Sequence, residues 1–335
     1  MNSKLACVWL AACLAFVNGA AAETFTDPLL ATGPDPWIIV DSGAYYFTAT
    51  KGDRLELWET RDIARLRDAQ TKVVWRAPSS GPNSAQVWAP ELHRIDGKWF
   101  LYFTACDRQF KDDAHRHIFV LENDAADPLS GEWIDHGMIA LDRPGIDATV
   151  FTDAGKLYLI YSAYVGPDSD LIITEMVDPW TASARQVDIA QPTFSWEKQG
   201  GRQILEGPEF LRGPGGRLLL SYSASACWSD DYALGLLVAA PGGDLLDPKT
   251  WSKSPAPVFR KSVANSVYAP GHNGFFKSPD GSQDWIVYHA NPAPGIGCGK
   301  ARSPRIQKFT WGPDGLPIFG EPVASGVPLQ VPSGQ

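Results

Sequence analysis

Five short segments open on a polar or small residue and run into apolar strand-forming residues: Asp35-Pro-Trp-Ile-Ile, Ala89-Pro-Glu-Leu-His, Asp147-Ala-Thr-Val-Phe, Glu206-Gly-Pro-Glu-Phe and His272-Asn-Gly-Phe-Phe. Three carry a carboxyl group and a fourth an imidazole at the opening position. Carboxyl groups converging on one bond can divide acid–base labour: one protonates the departing oxygen while another activates water, as cleavage of a glycosidic bond requires. The acid must keep its proton near neutral pH, and burial or a neighbouring carboxylate can arrange that, so a third carboxyl has a use in tuning. Singly, Asp35 and Asp147 read as strand-start or turn residues and Glu206 as part of a turn. Their recurrence at equivalent places of a repeat argues for chemistry.

The elements that would position them come from that repeat. A turn followed by a strand ending in a small pair recurs as DSGAYYFTA (41–49), DGKWFLYFTA (96–105), DAGKLYLIYSA (153–163), GPGGRLLLSYSA (213–224) and DGSQDWIVYHA (280–290). Gly and Asp turns before runs of β-branched and aromatic residues are hairpin signals. Asp41, Asp96, Asp153 and Asp280 belong to those turns and need no chemistry. Further strands follow each hairpin, and helical periodicity is almost absent, so the pattern predicts an all-β, five-bladed β-propeller. The first strand of each blade would line the axis, which brings Asp35, Asp147, Glu206 and His272 around one centre. Ala89 takes the equivalent place in the second unit, with Trp88 beside it as an aromatic wall. Trp37 and Trp228 read as packing between blades, and Arg302, just after the last repeat strand, as a donor to substrate hydroxyls.

The net charge of −9 and the lack of a basic stripe exclude nucleic acid as a partner. Lys4, an apolar run from Leu5 to Val17 and Ala20-Ala21-Ala22 read as a signal peptide over residues 1–22, leaving 23–335 as one catalytic propeller, exported to the periplasm or the medium. Leu10-Ala11-Ala12-Cys13 offers lipoprotein anchoring at Cys13 as the lesser alternative. No later segment is long and apolar enough for a transmembrane helix. Cys106, Cys227 and Cys298 would remain, enough for at most one bridge, and they lack zinc-site spacing.

The motifs DPWII with Asp35, GIDATVF with Asp147 and EGPEF with Glu206, together with WAPEL (88–92) and GHNGFF (271–276), resemble glycoside hydrolase family 43 over nearly the whole mature chain. That resemblance implies an inverting mechanism: Asp35 as general base, Asp147 as the aspartate that orients and tunes, and Glu206 as general acid. It also implies that His272 helps hold an axial Ca2+ or other cation, often through water, while catalysis needs no cofactor. Arg302 falls where a family arginine reaches the substrate. CWSDDYALGLL (227–237) and YAPGHNGFF (268–276) look most like exo-α-1,5-L-arabinofuranosidases acting on plant cell-wall arabinan or arabino-oligosaccharides. A monomer is expected. Endo-arabinanase and β-xylosidase are the alternatives within the family. A non-catalytic carbohydrate-binding propeller would need no axial acids, and a retaining fructan-cleaving propeller would need an NDPNG-type motif that DPW does not match.

Overall fold

The computed structural model describes residues 23–110 and 112–335; the signal peptide and Cys13 readings lie outside these residues. Five four-stranded antiparallel sheets follow one another in strict chain order. Blade one runs Trp37–Asp41, Ala44–Thr48, Arg54–Thr60 and Gln70–Arg76. Blade two runs Ala85–Ile95, Lys98–Cys106, Arg116–Asn123 and Ile134–Met138. Blade three comprises Gly145–Asp153, Lys156–Val165, Asp168–Asp178 and Thr181–Ala190. Blade four comprises Leu205–Arg212, Leu218–Ala224, Ala233–Ala239 and Trp251–Lys253. Blade five comprises Tyr268–Lys277, Asp284–Asn291, Ser303–Trp311 and Pro317–Ile318. The expected five-bladed propeller is thus the observed one, and its first two strands per blade are the predicted hairpins.

Sheets of alternating residues bury one face against each neighbour, so the core is divided among the blade interfaces. Five buried clusters occur among the described residues, one at each interface around the ring. Leu101, Phe103 and Trp99 of blade two pack on Leu55 and Leu57 of blade one, for example. The ring is closed by chain ends that meet. Thr24–Thr26 pairs antiparallel with Pro328–Gln330, and the buried Asp27 carboxylate accepts the Ile306 N–H of blade five at 3.1 Å.

The backbone turns left-handed just before or near the start of each inner strand. Asp35, Ala89, Asp147, Gly207 and His272 all have left-handed backbones, with φ of 55°, 43°, 57°, 49° and 45°. In blades two to five this residue lies where the ladder register slips, which is a β-bulge. A bulge re-aims side chains, and here the re-aimed side chains face the axis. The small pairs in the repeat explain how the strained backbone is held. The Thr104 hydroxyl accepts the Asp147 N–H at 3.0 Å, the Ser223 hydroxyl accepts that of His272 at 2.7 Å, and His289 Nδ1 accepts that of Asp35 at 3.1 Å. Each bond runs from one blade to the next, so in blades two, four and five the polar residue before the small alanine ties the ring together at the depth of the site.

Candidate active site

The bulges correct one register. Glu206 does not share the position of Asp35, Asp147 and His272, because the left-handed residue of blade four is Gly207. Glu206 stands one residue earlier, level with Pro34, Trp88, Ile146 and Gly271. Pro36, Pro90 and Pro208 follow the left-handed residue in three blades, and aligning on them would have revealed the offset. Gly207 is needed where it is. A Cβ there would come within 3.2 Å of His272 Nδ1, as well as facing the positive φ that disfavours side chains.

Asp35, Asp147, Glu206, His272, Trp88 and Arg302 all border one cavity of about 740 Å3 on the axis. Asp35 is buried, and both its oxygens are engaged. Oδ1 accepts Arg302 Nη1 at 2.8 Å and Oδ2 accepts the Thr50 hydroxyl at 2.7 Å. His272 Nδ1 and His289 Nδ1 each stand 3.5 Å from Oδ1. Burial pushes the Asp35 carboxyl up, but the Arg302 guanidinium and the surrounding donors outweigh it and hold the group well below the usual carboxylate range. Burial pushes both imidazoles down, so they stay neutral and the positive charge beside Asp35 is that of Arg302. Asp35 is therefore ionised.

The other two carboxyls are shifted the opposite way. Asp147 accepts the Gly207 N–H on Oδ2 at 3.3 Å, and burial first, then Glu206 and Asp35, raise it well above its ordinary value. Glu206 accepts the Tyr232 hydroxyl on Oε1 at 2.7 Å. Burial raises it to about 7, with Asp35 adding to the rise while Tyr232 and Arg302 oppose it. Asp147 and Glu206 thus retain a proton near neutrality beside an ionised Asp35. Carboxyls pushed apart in this way can serve as acid and base at one pH.

Trp88 borders the cavity with one ring face under the Arg116 guanidinium, 4.6 Å from the ring centre. Trp37 is buried between blades one and two, as a packing residue should be. Trp228 departs from that reading: it is 49% exposed and stands on the cavity wall. A neutral His272 could offer a cation one nitrogen, whereas Ca2+ takes roughly six to eight oxygens. Among the described residues no group of three or more His, Cys, Asp or Glu is arranged to hold a metal. The side chains therefore do not fit a protein cage for Ca2+, and a cation at His272 would have to keep most of its water.

Three contributors escaped the sequence reading. Thr50 bridges Asp35 Oδ2 and the Ala89 N–H, the latter at 2.7 Å. His289 is the odd member of the small-pair series, YHA where the other blades have TA or SA, and that substitution was the available signal. Tyr232 lies in the 227–237 stretch but carries no local mark of a role. The cysteines are settled: Cys227 and Cys298 form a disulfide bordering the same cavity, and Cys106 is buried with its thiol on Gln86 Oε1 at 3.2 Å.

Against known proteins, the extracellular exo-α-(1→5)-L-arabinofuranosidase of Streptomyces avermitilis is 41% identical over 91% of the chain, which spans 65% of that relative's length. The enzyme of the same name from Streptomyces chartreusis is 41% identical over 79% of the chain and 82% of its own. The crystal structure of α-L-arabinofuranosidase from Lactobacillus brevis superposes with a TM-score of 0.84 at 36% identity, covering 90% of this chain and 98% of that one. The model for glycosyl hydrolases family 43 matches residues 25–317. With five blades in chain order, three carboxyls of opposed protonation on the axis and this match over almost every blade, the chain belongs to glycosyl hydrolases family 43.

Proposed function

We propose that the protein is an exo-acting, inverting glycoside hydrolase that releases L-arabinofuranose from α-1,5-linked arabinan or arabino-oligosaccharides. The observation that carries the mechanism is the opposed protonation on one cavity, with Asp35 held ionised by Arg302 and Glu206 held protonated beside Asp147. The sugar and linkage rest on the relatives' names and on the site's membership of the family.

In the proposed reaction Asp35 takes a proton from water as the water oxygen bonds to the anomeric carbon. Glu206 gives its proton to the glycosidic oxygen as that bond breaks. The Tyr232 hydroxyl then donates to a full carboxylate, a stronger bond than the one it makes to the neutral acid. Burial and the ionised Asp35 keep Glu206 protonated, and Asp147 positions the Gly207 backbone through its own oxygen. Arg302 holds Asp35 in its reactive form and has further N–H groups for a sugar hydroxyl, and Trp88 forms an apolar wall. His272 and His289 fill the space beside Asp35 as neutral rings. One proton enters Asp35 and one leaves Glu206 per turnover, and solvent exchange resets both.

Export fits this reading. A disulfide between Cys227 and Cys298 belongs to an oxidising compartment, residues 1–22 read as a signal peptide, and both Streptomyces relatives are named extracellular. Residues 23–335 would then be the mature, monomeric catalytic propeller. Product analysis on linear α-1,5-arabinan, beside an aryl β-xyloside and an Asp35→Asn control, tests the proposal. Arabinose as sole product, abolished in the variant, is the expected result. Longer oligomers would make the enzyme an endo-arabinanase, and cleavage of the xyloside alone would make it a β-xylosidase.

A further inference from the structure

Two loops form one wall of the cavity. Residues 225–232 connect the second and third strands of blade four, and residues 292–302 make the same connection in blade five. The first loop ends on Tyr232, the partner of Glu206; the second ends on Arg302, the partner of Asp35. Cys227 and Cys298 join these loops, with Cα atoms 5.3 Å apart. The disulfide is reinforced by a polar tie, since both Asp230 carboxylate oxygens accept the Gly295 N–H, at 2.9 and 3.1 Å. Gly297 packs over Trp228, where an added Cβ would lie 3.6 Å from the Trp228 Cβ. Asn291 Nδ2 donates to the Gly297 carbonyl at 3.0 Å, and Arg302 Nε to the Gly299 carbonyl at 3.4 Å, so the blade-five loop is also tied within itself.

We propose that the Cys227–Cys298 disulfide is a positioning element of the catalytic site, a clasp that fixes Tyr232 against Glu206 and Arg302 against Asp35. The proposal rests on the reading of Asp35 as base and Glu206 as acid. Blades four and five do not need this bond to hold together, because Leu219, Leu234 and Leu236 pack on Ile286, Tyr288 and Phe309 between them. The disulfide acts at the cavity end, joining the two loops beyond that layer. Loss of the clasp frees the Arg302 loop, removes the cation that keeps Asp35 ionised, and leaves the acid and base less well oriented. Displacement of about an ångström at reacting groups costs on the order of a hundredfold in rate.

The test compares the oxidised protein with the same folded protein after dithiothreitol, which exchanges the S–S bond for two thiols and its own cyclic disulfide. Thiol titration monitors the exchange, and thermal unfolding confirms that each form is folded at the assay temperature. The readouts are kcat, KM and the pH profile on an aryl α-L-arabinofuranoside. The expected result is a fall in kcat of about ten- to a hundredfold. With it, the acid limb moves to higher pH as Asp35 loses Arg302, and reoxidation restores both. A Cys227→Ser/Cys298→Ser protein should match the reduced form, and Asp230→Ala should show a smaller change in the same direction with the disulfide intact. A reduced, folded enzyme with unchanged kcat and an unchanged acid limb overturns the clasp, even if the serine variant fails to fold. If instead the oxidised enzyme is inactive, or Asp35→Asn is as active as wild type, the reading of the site falls and the clasp with it.

Discussion

Tyr232→Phe isolates the tuning of the proposed acid. The Tyr232 ring is buried, 1% exposed, and stacks on His289 at 6.0 Å, so phenylalanine keeps the packing and removes one oxygen. That oxygen donates to Glu206 Oε1 at 2.7 Å and opposes the rise of the Glu206 carboxyl toward about 7. Burial and Glu206 itself hold the Tyr232 phenol well above its ordinary value, so it remains a donor throughout the working range. A hydrogen bond to an ionised group contributes about 1.5–3 kcal/mol. At about 1.36 kcal/mol per pK unit, its loss raises Glu206 by about one to two units.

The sign is set by which form is active. Glu206 must carry its proton to act as the acid, so activity falls as pH rises through its pKa, and a higher pKa moves that basic limb upward. The plateau should also drop, because the carboxylate left after proton transfer has lost its donor. If half of about 1.5 kcal/mol is expressed in the transition state, kcat falls about fourfold. The assay is the pH dependence of kcat/KM on arabinotriose, whose poor leaving group makes protonation matter. A folded Tyr232→Phe enzyme whose basic limb stays put, or moves down, would refute the assignment of Glu206 as the acid.

Glu206→Gln should lose about 10²- to 10⁴-fold in kcat on arabino-oligosaccharides and much less on aryl arabinofuranosides with acidic phenols, which leave without help. The same variant checks stability. Glu206 rises from 4.5 to about 7 on folding, so its contribution is fully present below about pH 4.5 and is lost as pH climbs through about 7; at pH 8 the glutamine protein should be more stable, by on the order of 3 kcal/mol, in urea unfolding. Arg302→Ala removes the chief cation holding Asp35 down, so the acid limb of kcat/KM should move to higher pH, and an unmoved limb would detach Arg302 from the base. Gly207→Ala places a methyl group at φ 49° and 3.2 Å from His272, and should cost about 1–3 kcal/mol while shifting the His272 ring resonances in NMR spectra.

The propeller was legible because its repeat is written in two kinds of residue with separate jobs. Turn glycines such as Gly43, Gly97, Gly155 and Gly281 take positive φ, which few other residues tolerate. In blades two, four and five the polar residue before the small alanine, Thr104, Ser223 or His289, ties its blade to the next. The carboxyls were legible as members of that repeat. The one-residue offset of Glu206 was not, because a bulge changes which residue faces the axis without changing the alternation around it. Nor could spacing choose among three pairings of Cys106, Cys227 and Cys298. The loops that bring Cys227 to Cys298 have no repeat to align on, and the same absence hid Tyr232.

The offset also bears on how one site can hold an ionised and a protonated carboxyl side by side. Asp35, Asp147 and His272 project from left-handed residues, while Glu206 projects from the residue before one, the position that also gives the cavity Trp88 and Ile146. Two nested rings of side chains result. The inner ring lies against the polar ties between blades, where Asp35 collects the Arg302 guanidinium and the Thr50 hydroxyl and stays charged. Glu206, in the other ring, has the hydroxyl of Tyr232 as its hydrogen-bond partner, so burial prevails and it keeps its proton. Had blade four carried its carboxyl on the bulge itself, that acid would stand against the His272 ring. The glycine at the bulge and the glutamate before it are therefore a single device: together they place the carboxyl of blade four one residue out of step, beside Tyr232, while Asp147, at the same position as Asp35 but raised by burial and its carboxyl neighbours, keeps its proton, so protonation follows from each group's partners.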